Sequence, residues 1–243
     1  MKKIFMLLVA CVAMVFVSCS KDDDGDNETL FGGKQVSKII YKTANGEVYS
    51  HVTYEYDKSG RVVTEIWREE GENDIYKYTY GANKITVDNE YDGDTYSTDY
   101  YLENGIITYS MGDENATYTY NDKKELIKVI DDTYTYVYTW TNGNITTQNL
   151  SQYGVFEYSY SKNAIKTLGL NNFEEDIPNN ILFCYGYFGA KNANLMSGYT
   201  WGTKEKYDYE YEFDRNGNVT SMKEYNIEDG TRKLEKTVTV EYK

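Results

Sequence analysis

The chain reads as an all-β domain: an antiparallel up-and-down meander of about 14–17 short strands, closed or nearly closed into a barrel. A strongly curled open sheet or a β-sandwich is the alternative. Three observations predict this. Tyrosines alternate with polar residues over short runs, turn chemistry recurs at intervals near twenty residues, and only one proline occurs in 243 residues.

The alternation is clearest where Tyr207, Tyr209, Tyr211 and Phe213 interleave with Asp208, Glu210 and Glu212. Tyr134, Tyr136, Tyr138 and Trp140 interleave in the same way with Thr135, Val137 and Thr139. A period of two in aromatic and β-branched residues puts one kind of side chain on each face of a strand. Aligned on their turns, seven segments end at Tyr56, Tyr80, Leu102, Tyr120, Trp140, Tyr160 and Phe213. Successive spacings are 24, 22, 18, 20, 20 and 53 residues, so five intervals fit one hairpin each and the sixth contains an insertion. The turns agree. DKSG (Asp57 to Gly60) and DRNG (Asp214 to Gly217) place Asp to bond the turn backbone, and Asn104-Gly105 and Asn142-Gly143 are two-residue hairpin signals. A ladder in which nearly every N–H donates leaves little room for proline. Short connections make successive strands antiparallel neighbours, and closure removes the exposed edges. With tyrosines along whole strands and a mean hydropathy of −0.68, the pattern lacks the outward apolar band of a membrane-embedded barrel.

The N-terminus carries an address. Lys2 and Lys3 precede an uncharged stretch from Ile4 to Val17, too short to span a bilayer and suited to a signal h-region. Residues 1–18 are therefore expected to be a signal peptide. Phe16 to Cys19 (FVSC) resembles a lipobox, which would make Cys19 the acylated first residue of the mature chain. Leu8 to Cys11 (LVAC) is the better string, but cleavage there would leave a short h-region and an apolar tether. Residues 19–29 then form a lipidated acidic tether, and residues 30–243 the tyrosine-rich domain with its insertion at 170–202. Ser20 to Asp26 (SKDDDGD) resembles the acidic export tags of surface lipoproteins in Bacteroidetes. Asp22 to Glu28 lacks the full twelve-residue calcium loop.

Cys184 is the one cysteine left after Cys11 and Cys19 are assigned, so no intrachain disulfide is expected. The formal charge is −14, or −16 once Lys2 and Lys3 are removed, the wrong sign for a nucleic-acid partner. His51 is the only histidine, which argues against zinc and Ser-His-Asp chemistry. Cys184 lies among apolar residues, as an inert core thiol would. No GxSxG, Walker or GxGxxG string occurs, so neither cofactor nor metal is expected. Carboxylates are abundant, and a glycosidase-type pair could be hidden among them.

The insertion contains an acidic start (Glu174 to Asp176), Pro178 and an apolar run from Ile181 to Phe188. These are helix start signals, although the run could equally be a buried strand. One reading is a plug or lid that fills the barrel. The other is a ligand floor lined by Phe183, Tyr185, Tyr187, Tyr199 and Trp201.

Units of the form Y-x-Y-D-x-x-G-x-V, as in Tyr54 to Val62, resemble the YD-type repeats of shell-forming bacterial proteins. The succession of signal, acidic tether, tyrosine hairpins and a late insertion carrying Gly189 to Leu195 resembles a Bacteroidetes family of surface lipoproteins. That family has unknown function and a porin-like β-fold. The resemblance implies such a fold and a lipid-anchored, surface-exposed site on the outer membrane; it supplies no activity and no catalytic residues. Three function classes follow. The chain could be a non-catalytic surface lipoprotein binding a glycan or protein partner, a structural or assembly subunit of an envelope complex, or a carboxylate-dependent glycan hydrolase.

Overall fold

A computed structural model describes residues 34–69, 71–151, 153–168, 179–202 and 205–243. The expected signal peptide, tether and Cys19, together with Glu174 to Asp176 and Pro178, lie outside the described residues. Sixteen strands close into one antiparallel barrel in strict chain order, β16 pairing with β1. They are β1 (Val36–Thr43), β2 (Val48–Tyr56), β3 (Val62–Glu69), β4 (Glu72–Tyr80), β5 (Lys84–Tyr91), β6 (Asp94–Glu103), β7 (Ile106–Gly112) and β8 (Ala116–Tyr120). The second half comprises β9 (Leu126–Asp131), β10 (Thr135–Thr141), β11 (Asn144–Leu150), β12 (Gly154–Ala164), β13 (Asn194–Trp201), β14 (Glu205–Phe213), β15 (Val219–Glu228) and β16 (Thr231–Tyr242). Among the described residues a single helix, α1 (Asn180–Cys184), precedes β13.

The alternation sorts the faces. Val52 and Tyr54 of β2, Tyr78 of β4, Tyr136 and Tyr138 of β10 and Tyr209 of β14 point inward and are buried. The outer face carries the polar partners, including the ion pairs Lys77–Glu90 at 2.5 Å, Lys84–Asp99 at 2.8 Å and Arg232–Glu210 at 2.6 Å. Each exposed pair adds little stability, about 0–1 kcal/mol. Their position matters more: a wall of lysines and carboxylates cannot face hydrocarbon, where charged substitutions are costly. This barrel has the polarity opposite to that of a membrane-spanning one, apolar within and charged without.

Because successive turns alternate between ends, the odd strands begin at one end and the even strands finish there. That end is closed. Bulges interrupt the ladder just before its turns, for example between Glu55 and Tyr56, Thr119 and Tyr120, and Thr139 and Trp140. In seven of the eight even strands an inward aromatic near this end then donates to a carbonyl at the start of the preceding odd strand. Tyr56 donates to Val36, Tyr80 to Val62, Tyr120 to Ile107, Trp140 to Leu126, Tyr211 to Met196 and Tyr242 to Val219, at 2.6–2.8 Å. Tyr160 donates likewise to Ile145. Leu102 sits at the corresponding place in β6 and has no donor to offer. In the last repeat the pre-turn residue is Phe213, which lacks a hydroxyl, and Tyr211 two residues earlier makes the bond. These seven bonds form a belt around the closed end.

Below the belt lies the plug. Ile181, Leu182, Phe183, Cys184 and Phe188 are at most 1 % exposed. Asn179 caps α1 by accepting from the Leu182 N–H at 3.0 Å. The segment after α1 is sewn to the closed-end turns: Ile107 N donates to Tyr187 O, Ala190 N to Lys124 O, and Ala193 N to Gly143 O. Gly189 (φ +81°) passes so near the β8–β9 turn that a Cβ there would lie 2.1 Å from Lys124 O. The apolar run is thus a short helix followed by turns rather than a buried strand.

The expected insertion bounds need correction. Residues 194–201 form β13, a wall strand paired with β12 and β14, so the segment between wall strands runs from 165 to 193. Two register shifts against β12 and Gly198, where a Cβ would lie 2.3 Å from Tyr207 O, break the alternation that would have marked it.

Candidate functional site

At the end opposite the belt, two adjoining cavities of about 370 and 350 Å³ open between the inward faces of β3 to β10. They share Asp113 and Glu114 of the β7–β8 turn and Asn179 of the plug. The first is completed chiefly by Tyr118, Val129, Asp131, Asp132 and Tyr136. The second is walled by Glu65, Trp67, Tyr76, Tyr78, Tyr96 and Tyr100. Neither contains a lysine, arginine or histidine among its described lining residues.

The local sequence explains the placement. In β3 the inward parity brings Glu65 and Trp67 to the interior while Thr64 and Ile66 face out. Glu65 is 7 % exposed and survives there because both its oxygens accept bonds, from Trp67 Nε1 at 2.9 Å and from the Tyr78 hydroxyl at 2.8 Å. A buried carboxylate needs such partners. Burial still outweighs them and holds its pKa above the ordinary glutamate value.

Glu114 is positioned from two sides: its N–H donates to Thr98 Oγ1 at 3.2 Å and its carboxylate accepts from the Tyr100 hydroxyl at 2.8 Å. Tyr100 in turn meets Phe188 of the plug edge-on, with centroids 6.1 Å apart. The plug therefore forms the floor of the mouth through Phe188 and Tyr100. The Tyr76 phenol registers the negative field. Its pKa is pushed up to about 12 by burial first and then by Asp74, Glu65 and Glu114.

The five residues expected to line a ligand floor are not brought together. Phe183 is fully enclosed in α1. The Tyr185 hydroxyl accepts from Val62 N at 2.9 Å and donates to Gly60 O at 3.3 Å, at the closed end. Tyr187 packs on Tyr80, with centroids 5.9 Å apart. Tyr199 and Trp201 belong to the β13 wall, Tyr199 stacked on Tyr207 at 4.8 Å and Trp201 on Phe156 at 5.4 Å. None of the five lines either cavity. Glu65, Trp67, Tyr100 and Glu114 were missed; the usable signal was that Glu65 breaks the apolar face of its strand. His51 faces outward, its pKa lowered by partial burial and then by Lys38 and Arg68. Among the described residues no group of three or more His, Cys, Asp or Glu side chains could hold a metal ion.

No family model and no curated protein matches the chain. Solved structures do match. A porin-like protein from Bacteroides uniformis ATCC 8492 superposes with a TM-score of 0.65 at 16% identity, covering 86% of this chain and 98% of that one. A porin-like protein from Bacteroides vulgatus ATCC 8482 gives 0.59 at 14% identity, covering 86% and 99%. At these identities the likeness shows the fold alone: this chain shares a closed, porin-like β-barrel with them.

Proposed function

We propose that the protein is a non-catalytic, surface-exposed lipoprotein of the outer membrane whose barrel mouth binds a glycan, free or displayed on an envelope partner. The observation that carries this reading is the pair of mouth cavities, where Trp67, Tyr76 and Tyr96 stand beside carboxylates and amides. Aromatic faces suit the apolar side of a sugar ring, and the surrounding acceptors suit its hydroxyl groups. The lining also sets a charge preference, because five carboxylates without a cation repel uronic acids and sulfated sugars. A proton-transfer role for Glu65 is disfavoured, since both its oxygens are occupied by Trp67 and Tyr78. The anchor supports the same picture. The chain enters the barrel at Val36, on the plugged end, so a lipid on Cys19 leaves the mouth facing away from the membrane.

Screening neutral and amino sugars against acidic ones by Trp fluorescence tests the proposal. Binding should saturate for the former group, weaken about tenfold or more in Glu114→Gln, and fail for acidic sugars. Saturable binding that ignores Glu114 and Trp67 would place the site elsewhere.

The assembly reading keeps one observation in its favour. Tyr109, Met111, Ile130 and Val137 are exposed on neighbouring outer faces of β7, β9 and β10, where a protein partner could dock.

A further inference from the structure

The two ends of the barrel carry opposite charge. Outside the strands, the described residues of the closed end hold nine lysines and arginines against four carboxylates. The described turns of the mouth hold six carboxylates and no cation. Three of the four closed-end acids, Asp57, Glu125 and Asp214, are held by partners within their own turns. Asp57 accepts from the N–H groups of Ser59 and Arg61 and from the Arg61 side chain. Asp214 accepts from Asn216 N, Asn218 N and Asn218 Nδ2. Lys58, Lys123, Lys124 and Arg215 project from the same turns into solvent.

We infer that the plugged end is a membrane-facing base, whose exposed cations seat on the anionic phosphates of lipid headgroups. Two independent features point there: the charge complementarity, and the entry of the chain at Lys34 and Val36 on that same end, downstream of Cys19. The net negative charge of the whole protein does not forbid it. A nine-residue strand such as β2 spans about 30 Å, or about 20–25 Å along a tilted barrel axis. That is two to three times the Debye length of about 8 Å at physiological salt, so the lipid surface responds to the base and hardly to the mouth. The inference uses the anchor of the proposed function only to bring the base to the membrane; the charge sorting stands without it.

The test uses the chain from residue 19 onward with Cys19→Ser, which has no acyl group. Its partition is measured onto phosphatidylcholine vesicles with and without one-third phosphatidylglycerol. It should bind the anionic vesicles only, and lose them in about 1 M salt, where the Debye length is about 3 Å. Lys58→Ala, Lys123→Ala and Lys124→Ala should each weaken partition about fivefold, the equivalent of about 1 kcal/mol per cation near an anionic surface. Asp92→Asn and Asp229→Asn at the mouth should leave it unchanged, and sugar binding should be unaffected in all three lysine variants. Absence of partition, or equal loss in the mouth variants, overturns the inference while leaving the mouth reading intact. Partition that emerges only after Asp22, Asp23, Asp24 and Asp26 are neutralised also overturns it, because the acidic tether would then be the occupant of the base.

Discussion

Replacing Gly189 by alanine isolates the fit of the plug against the barrel end. The new Cβ would lie 2.1 Å from Lys124 O, where ordinary contact begins near 3.4 Å. The two backbones must therefore part by more than 1 Å, which stretches the Ala190 N to Lys124 O bond of 2.8 Å beyond bonding range. Alanine at φ +81° costs about 1–2 kcal/mol by itself, and the lost bond and overpacking add about 2 kcal/mol or more. Gly46→Ala supplies the control. Gly46 has φ +87° with nothing within 4 Å of its would-be Cβ, so it carries the conformational cost without the clash. For a domain of this size each kcal/mol shifts Tm by about 2–4 °C, and Gly189→Ala should melt about 4–8 °C below Gly46→Ala. Thermal unfolding followed by near-ultraviolet circular dichroism reads the difference. Equal melting of the two variants would refute the argument that the plug is held by close backbone approach.

Phe183→Ala should cost about 3–5 kcal/mol in urea unfolding, as a buried aromatic truncation, and the amides of Ile181 to Phe188 should resist hydrogen exchange; rapid exchange there would mean the plug does not pack. Glu65 has a folded pKa raised above its unfolded value, so its contribution favours the fold at low pH and is progressively lost as pH rises from the ordinary glutamate range to the raised pKa. The stability difference between Glu65→Gln and the parent should accordingly grow in favour of the variant across that window; a pH-independent difference would rule out a strained buried carboxylate. Cys19→Ala should abolish labelling by a palmitate analogue and release the protein from membranes washed in about 1 M salt, where attraction of the base to lipid phosphates is screened, whereas these effects from Cys11→Ala instead would move the lipid to the other cysteine.

Strand physics made the barrel readable before any coordinates. Alternation fixes which side chains share a face, and turns at regular intervals fix antiparallel neighbours, so Tyr207 to Phe213 and Tyr136 to Trp140 fall where expected, in β14 and β10. Strand β13 escaped because bulges and the tight approach at Gly198 replace alternation with local irregularity. The mouth escaped for another reason. Glu65, Glu114 and Asp131 are ordinary surface carboxylates by composition, and only the inward parity of β3 and the meeting of turns from distant repeats turns them into a site. The aromatic belt was half visible: the tyrosines before each turn stood out, but the destination of a phenol hydroxyl on a neighbouring hairpin is a long-range fact. The charge difference between the ends was present in the sequence as acidic turns alternating with nearly neutral ones, with further lysines at Lys34, Lys166, Lys191 and Lys243, and it acquires meaning only once successive turns are known to face opposite ways.

The pairing of β1 with β16 joins Val36 to Tyr242, the first wall residue to the last. Every other wall contact can form as the chain is delivered, hairpin upon hairpin, but this seam waits for the final strand. Until Thr231–Tyr242 arrives, the growing sheet has two free edges and an unsealed interior. Contacts between such distant residues also carry the highest loop-closure cost and form slowly. A protein threaded through an export channel from its N-terminus would meet no premature closure that could jam it on the way, and would be vulnerable to sticking edge to edge until the last dozen residues emerged. Chains cut before Thr231 should therefore aggregate rather than form smaller barrels.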